Sequence, residues 1–225
     1  MTGCGASRRV FRYHASLSTY HRDNSVKPYA AYAIGAALVD TEIQVTDEEL
    51  IAMNVEKGMM TLVDQDRQAD MLAQLSDHLV RASHASGGSA GNSMIATALM
   101  GAPTYMSCKV AQDADGDIYL ADLEQSGVAH GLNDQRKEGV TGKCIVLITP
   151  DAERSLNTHL GISETLSTDE VDEAAIKDSE WVYLEGYLVT SPTGHAAALK
   201  TKSLAEQHGV HTAVSFSDPG MVKFF

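Results

Sequence analysis

The strongest constraint on the fold is the alternation of strand-like and helix-like segments in the second half of the chain. Short apolar runs are separated there by polar segments that carry helix start and stop signals. These apolar runs lie at 103–111, 180–190 and 211–218. Ser191-Pro192 predicts the start of a helix over 192–208, and Gly209 predicts its end. Strands joined through helices run parallel, so the pattern predicts an α/β fold with a mostly parallel central sheet flanked by helices.

The first half of the chain predicts strands of a second kind. The run 29–40, "YAAYAIGAALVD", predicts a buried first strand that ends in Asp40. Segments 41–45 and 58–64 are shorter and more polar, and therefore predict a small second sheet that projects from the main one. Segment 142–161 reads as strand, Pro-Asp turn and strand, which predicts a hairpin.

Charge and cysteine content exclude several classes of partner. The formal net charge is -13, which disfavours nucleic acid because binding to it depends on neutralising phosphates. No window approaches 18 apolar residues, so the sequence predicts no membrane span. The three cysteines, Cys4, Cys108 and Cys144, are odd in number and lack the spacing of a metal site. We therefore expect free thiols, a cytoplasmic location and no protein-held metal.

The first 28 residues differ in composition from the rest of the chain. They contain five Arg and Lys residues against one acid, Asp23, and they lack an apolar run. A secretory signal is excluded by that lack, whereas a basic disordered tail and an organelle transit peptide both remain open. The folded domain is accordingly predicted to begin at about residue 29.

A glycine turn at 85–102, "ASGGSAGNSMIATALMGA", leads into a helix of small residues. No Lys follows the glycines, so the turn is not a P-loop. Gly87, Gly88 and Gly91 also miss the dinucleotide spacing, and helical periodicity over 66–83 predicts that a helix end precedes them. Two interpretations stay open: a tight turn with a helix cap, or a site for a polyol.

The polyol interpretation draws on two side chains as well as on the turn. Asn92 offers a donor and an acceptor, which suits a pair of hydroxyls. Asp40, at the predicted carboxyl end of a strand, can accept from two neighbouring hydroxyls, and ligands of such sheets bind outside the carboxyl ends of the strands. Glycine allows the ligand to approach the backbone closely.

The order of these motifs resembles the ribokinase/pfkB family of carbohydrate kinases, and its adenosine kinase branch most closely. The similarity runs from about Tyr32 to Phe225 and includes "GAALVD" (35–40), "GGSAGN" (87–92) and "TGKCIVLITPDAERSL" (141–156). The resemblance implies a ribokinase-like fold in which strands at about 41–45 and 58–64 form a small β-sheet lid. Residues 29–225 would then be the N-terminal, substrate-binding part of the domain.

The resemblance also implies an activity and a site. ATP, with Mg²⁺, would phosphorylate a hydroxymethyl group of a nucleoside or a sugar, and Arg154 would meet phosphate during closure. The lid strands allow two copies to pair as a homodimer. The resemblance assigns substrate binding to Asp40, Gly87, Gly88, Ser89, Asn92, Glu185 and Tyr187.

Departures from the family pattern qualify these expectations, among them Ala111 where the family often has glycine. The second family signature, Asp-Thr-x-Gly-Ala-Gly-Asp, is absent from the 225 residues, which implies a C-terminally truncated chain without the catalytic base. A non-catalytic nucleoside- or sugar-binding fragment and an incomplete gene product are therefore alternatives. Ala36 stands where the adenosine kinase branch usually has asparagine, so adenosine is not fixed as the substrate.

Overall fold

The computed structural model describes residues 26–78, 83–132 and 136–224. The expectations for residues 1–25, a disordered tail or a transit peptide, lie outside these ranges. The strands are β1 Tyr29–Ile34, β2 Leu38–Gln44, β3 Met60–Leu62, β4 Ser83–Gly87, β5 Thr104–Ser107, β6 Val128–Ala129, β7 Gly142–Ile148, β8 Arg154–His159, β9 Ser179–Leu184 and β10 His211–Val214. The helices are α1 Asp47–Ala52, α2 Gln65–Gln74, α3 Ser89–Leu99, α4 Ala114–Gln125, α5 Glu173–Lys177, α6 Pro192–Gln207 and α7 Pro219–Phe224.

The main sheet has the strand order β10-β9-β1-β5-β6, and each of these pairs is parallel. Its central strand, β1, is buried on both faces, as Tyr32, Ala33 and Ile34 show. One face packs against α5 and α6, and the other packs against α3 and α4. The prediction of a mostly parallel sheet flanked by helices is confirmed.

The second sheet has the order β3-β8-β7-β2-β4 and mixes parallel with antiparallel pairs. β7 and β8 form the predicted hairpin, while β2 runs parallel to β7 and antiparallel to β4. One face of this sheet packs on α1 and α2 in a hydrophobic core of its own. The buried members of that core are Ile43, Val45, Leu50, Met53, Met71, Leu75, Ile145 and Leu147.

The run 29–40 is not one strand, and the prediction that Asp40 ends the first strand is wrong. β1 stops at Ile34, the chain turns through 35–37, and Asp40 lies inside β2 of the second sheet. The turn is possible because Gly35 has no side chain. A Cβ there would lie 2.6 Å from the Cβ of Ala90 and 2.7 Å from Oε2 of Glu185.

The segment before the glycine turn is a strand, so the predicted helix end there is also wrong. α2 ends at Gln74, and β4 is held by pairing with β2. The backbone N–H of Ser86 also donates to Oδ2 of Asp122 on α4, at 2.9 Å. Small polar residues have little intrinsic strand propensity, so β4 is specified by these tertiary contacts.

The apolar run 180–190 also divides into two elements. β9 ends at Leu184, and a short 3₁₀ helix covers Gly186–Thr190. The chain turns here because Gly186 packs directly on backbone, with the carbonyl oxygen of Ser215 2.5 Å from the position of a Cβ. Glu185 therefore lies at the carboxyl end of β9 rather than inside a strand.

In the part of the chain that the structure describes, the two sheets are linked by four connections. They join β1 to β2, β4 through α3 to β5, β6 to β7, and β8 to β9. None of the described helices is both long enough and apolar enough to cross a membrane.

Candidate functional site

A cavity of about 230 Å³ lies between the carboxyl ends of the main-sheet strands and the inner face of the second sheet. It brings together most of the residues that the sequence singled out, although they come from both sheets. The predicted residues that line it are Asp40, Gly88, Ser89, Asn92, Arg154, Glu185 and Tyr187. Gly87 is the exception, because it lies behind Asp40 and does not line the cavity.

Asp40 projects from β2 into this cavity beside Cys144 of β7. Burial raises the pKa of the Asp40 carboxyl from 3.8 to about 6, and the charge of Glu42 adds to this shift while Arg154 opposes it. The carboxylate accepts no hydrogen bond from any described residue. A desolvated acceptor of this kind favours a ligand that brings hydroxyl donors.

Cys144 is a neutral neighbour of Asp40. Burial raises the pKa of its thiol to about 12, and Thr158 donates a hydrogen bond to its sulfur at 3.3 Å. A thiol in this state is not a nucleophile at neutral pH, since the reactive form is the thiolate. The cavity therefore offers Asp40 as an acceptor without a competing cysteine chemistry.

Gly87 and Gly88 determine how β4 passes into α3. The Asp40 carboxylate occupies the space where a Cβ of Gly87 would stand. Gly88 has a φ of +88°, which favours glycine, and the carbonyl oxygen of Ala36 lies against its open side. Gly88 thus lets the turn 35–37 approach the start of α3 closely, and Gly87 makes room for the carboxylate of Asp40.

The first turn of α3 opens onto the cavity. Gly88 is the N-cap and provides no side-chain acceptor, so the cap itself leaves the helix N–H groups to other partners. Asn92 is exposed at the cavity, and its side chain forms no hydrogen bond with the described residues. Its amide therefore has both a donor and an acceptor for a ligand.

Glu185 and Tyr187 border the cavity from the end of β9, but their polar atoms already have protein partners. Both carboxylate oxygens of Glu185 accept hydrogen bonds from the protein. The hydroxyl of Tyr187 donates to Oδ2 of Asp218 at 2.6 Å. Burial, together with this bond to Asp218, raises the pKa of Tyr187. What Tyr187 presents to a ligand is therefore mainly its ring.

Arg154 stands at the start of β8 and is half exposed. Its guanidinium donates to Oε1 of Glu42 at 3.0 Å, and its charge lowers the pKa of Asp40. Of the described residues that line the cavity, it is the single one with a permanent positive charge.

An apolar wall completes the cavity, and sequence reasoning missed it. Its side chains come from strands of the second sheet and from the segments that follow β8 and β9. They are Leu38, Met60, Leu62, Leu156, Leu160, Leu166 and Leu188. A signal was present in the hairpin, because Arg154, Leu156 and Thr158 alternate along β8 and therefore share the face that borders the cavity.

The family model for pfkB family carbohydrate kinases matches residues 55–223. The chain belongs to this family. The matched segment contains the glycine turn, α3, Arg154 and Glu185, while Asp40 precedes it.

Solved structures of similar fold support the assignment. The pfkB-family chain is 32% identical to the adenosine kinase of Sinorhizobium meliloti, with a TM-score of 0.80, and the match covers 88% of this chain and 59% of that one. A probable sugar kinase from Rhizobium etli is 31% identical with a TM-score of 0.80, over 88% and 58%. Mouse ribokinase is 25% identical over 126 residues, which are 56% of this chain and 38% of ribokinase. The chain thus spans less than two thirds of each of these relatives.

The described ranges of this pfkB-family chain contain no group of three His, Cys, Asp or Glu side chains that could hold a metal ion. Cys108 and Cys144 are both buried free thiols. The chemical resources of the cavity include the buried, unpartnered carboxylate of Asp40, the unpartnered amide of Asn92, the exposed guanidinium of Arg154 and an apolar wall.

Proposed function

We propose that this chain binds a nucleoside or sugar in the cavity and supplies the substrate-binding part of an ATP-dependent phosphorylation of a hydroxymethyl group. The observation that supports this most is the unpartnered Asp40 carboxylate, whose pKa is raised to about 6 by burial, facing the N-terminal turn of α3. Membership of the pfkB family supports the reaction class.

In this proposal Asp40 accepts hydrogen bonds from two neighbouring ring hydroxyls of the substrate. Asn92 donates to one hydroxyl and accepts from another, and the backbone at Gly88 and Ser89 allows the ring to approach α3 closely. Holding the acceptor hydroxymethyl in one orientation is the main contribution of such a site, because phosphoryl transfer depends on positioning and on charge neutralisation.

The apolar wall favours a nucleoside over a free sugar. A sugar would leave the leucines around Leu156 and Leu160 in contact with water, whereas a nucleobase would bury them. Tyr187 adds an aromatic ring beside the same wall. The similarity to the adenosine kinase of Sinorhizobium meliloti agrees with this preference.

ATP supplies the phosphoryl group when bound, and Mg²⁺ accompanies its phosphates rather than a protein cage. The exposed Arg154 guanidinium fits a phosphate contact in charge and in accessibility. Arg154 would neutralise phosphate charge when the second sheet closes over the substrate as a lid. We assign the catalytic base to none of the residues described, so ligand binding is the decisive assay.

The experiment is isothermal titration of the chain with adenosine and, in parallel, with ribose. We expect adenosine to bind more tightly, and we expect Asp40→Asn to weaken both by about tenfold or more, the equivalent of one charge-assisted hydrogen bond. Absence of binding for either ligand would overturn the proposal. A coupled assay for ADP formation then separates a kinase from the alternative, a binding module that holds the nucleoside without chemistry.

We further propose that two copies pair through the outer edge of β3, in a cytoplasmic setting. β3 is an end strand of its sheet and pairs with β8 on one side, and Met59 and Leu62 at its two ends are 40% and 53% exposed. The buried free thiols Cys108 and Cys144 suit a reducing compartment. Light scattering of a Leu62→Lys variant tests the pairing: a dimer that persists would contradict it.

A further inference from the structure

Glu185 is an acid in a nearly closed environment. It is 3% exposed, yet it borders the cavity where β9 ends. Its Oε1 accepts from the Ser89 hydroxyl at 2.6 Å and from the Ala90 N–H at 3.2 Å, while Oε2 accepts from the Ala36 N–H at 2.8 Å. Burial raises its pKa, and the three donors act in the opposite direction.

The Glu185 carboxylate lies at the N-terminus of α3, the position at which an α-helix favours a bound anion. The N-terminus of an α-helix carries partial positive charge and free N–H groups, and it commonly binds phosphate or carboxylate ligands. α3 is 11 residues long, and its Gly88 N-cap offers no side-chain acceptor of its own. Glu185 supplies that acceptor from another element, 95 positions further along the chain.

Its hydrogen bonds join the two segments that carry the substrate-binding side chains. Ala36 lies in the turn that leads directly into β2, which holds Asp40. Ser89 and Ala90 begin α3, which holds Asn92 one turn later. The missing side chain of Gly35 makes room for the carboxylate, since a Cβ there would meet Oε2 at 2.7 Å.

We propose that Glu185 is a positioning residue: its buried carboxylate takes the place of a bound anion at the N-terminus of α3 and fixes the spacing between Asp40 and Asn92. It acts through the backbone of Ala36 and the first turn of α3, and it does not itself hold the substrate. The inference rests on the proposed function for its link to substrate affinity, whereas the anion site itself is independent of it.

Glu185→Ala leaves three convergent donors around a gap of carboxylate size. We expect this variant to lose thermal stability and to bind adenosine about tenfold more weakly or worse. Added formate should restore both quantities, because it can accept the same three hydrogen bonds. The matched control is Glu180→Ala, which removes an exposed acid from β9, the strand that precedes Glu185, and should not respond to formate beyond the wild type.

A second variant covers the case in which Glu185→Ala does not fold. Glu185→Gln keeps the size of the side chain, but its amide nitrogen can donate only, and it faces N–H and O–H donors. We expect weaker adenosine binding and a lower thermal midpoint, and formate should not rescue a gap that glutamine fills. Wild-type affinity and stability in Glu185→Gln would overturn the proposal, as would Glu185→Ala that gains nothing from formate.

The outcomes separate this inference from the proposed function. If the wild-type chain bound neither adenosine nor ribose, the proposed function would fail. The thermal midpoint of Glu185→Ala in formate, and the backbone amide shifts of Ala36, Ser89 and Ala90, would still decide whether the anion site exists. If the wild type binds and formate restores stability but not affinity, the link from Glu185 to the Asp40–Asn92 spacing is wrong.

Discussion

The carboxylate of Asp40 fills the space in which residue 87 would carry a side chain, so any larger residue at position 87 would have to displace Asp40. In the antiparallel pair formed by β2 and β4, Gly87 lies opposite Leu38, and Asp40 lies opposite Ala85, so Asp40 reaches Gly87 diagonally. A glycine with no contact to the cavity thereby determines where the candidate substrate-binding acid stands.

Gly87→Ala should therefore reduce ligand binding without removing any cavity-lining atom. The new methyl group displaces the Asp40 carboxylate, and we expect a loss of about 1–3 kcal/mol in unfolding free energy together with weaker adenosine binding. Chemical denaturation and calorimetric titration measure the two effects. Gly101→Ala is the control: Gly101 has a φ of +94° but no atom within 4 Å of its Cβ position, so only backbone strain should appear. Unchanged adenosine affinity in Gly87→Ala would contradict the argument.

Asp40→Asn should stabilise the protein while it weakens the site. The folded-state pKa of Asp40, about 6, lies above the ordinary value of 3.8, so ionisation favours the unfolded state. Stability is therefore lost as pH rises from about 4 to about 6, and the loss stays constant above that. The thermal midpoint of Asp40→Asn should exceed that of the wild type at pH 7.5, and the gap should close toward pH 4.

Ionisation of Asp40 should strengthen the binding of adenosine, although it lowers the stability of the folded chain. Affinity of the wild type should rise with pH through about 6 as Asp40 ionises, and Asp40→Asn should lack this step. Asp70→Asn, an exposed change on α2, serves as control and should alter stability by less than about 0.5 kcal/mol. A wild-type stability that is flat between pH 4 and 6 would refute the role of Asp40 burial.

Arg154→Gln should change the pKa of Asp40 clearly while it changes the free energy of unfolding only slightly. The Arg154–Glu42 ion pair is about half exposed, so its loss should cost no more than about 1 kcal/mol. The same guanidinium lowers the pKa of Asp40, so its removal should raise that pKa above its wild-type position. Carboxyl ¹³C NMR of Asp40 measures this shift. Lys202→Gln, which breaks an exposed pair on α6, should leave the Asp40 titration unchanged.

Tyr119 and Gly91 should show strong coupling in a double-mutant cycle. The Tyr119 hydroxyl is buried without a hydrogen-bond partner among the described residues, and it lies against the open side of Gly91 in α3. Tyr119→Phe removes an unsatisfied group and should stabilise by on the order of 1 kcal/mol.

Gly91→Ala should destabilise the wild type, because its Cβ would collide with that hydroxyl. In the Tyr119→Phe background the nearest ring atom is 3.4 Å away, and alanine is the better helix former, so the same substitution should become neutral or favourable. Equal effects of Gly91→Ala in both backgrounds, measured by denaturant unfolding, would rule out the contact.

Local and periodic signals in the sequence predicted much of the fold correctly. The alternation after residue 100 predicted the parallel sheet, and the Pro-Asp turn predicted the β7–β8 hairpin. Thr46 and Glu49 form the capping box that their spacing indicates at the start of α1. Each of these features depends on residues that are close in sequence, or on the burial of a continuous apolar run.

The features that were missed depend on contacts between distant residues. The break in the run 29–40 occurs at Gly35, but the Glu185 and Ala90 atoms that fill the open side of this glycine are distant in sequence. β4 is a strand because β2 and Asp122 hold it, although its residues favour a loop. The cavity gathers most of the predicted site residues, and the roles given to them stay predictions.

The second sheet has its own core, and this changes what opening the cavity would involve. The apolar contacts of the second sheet with α1 and α2 lie on the face away from the cavity. The sheet and these two helices would therefore move together as one rigid unit. Ligand exchange would then require rearrangement of a few connecting backbones and no melting of packed side chains. The energy barrier to ligand entry would then depend on the turns 35–37 and 87–88. Close-packed glycines and the buried Glu185 carboxylate fix the backbone there.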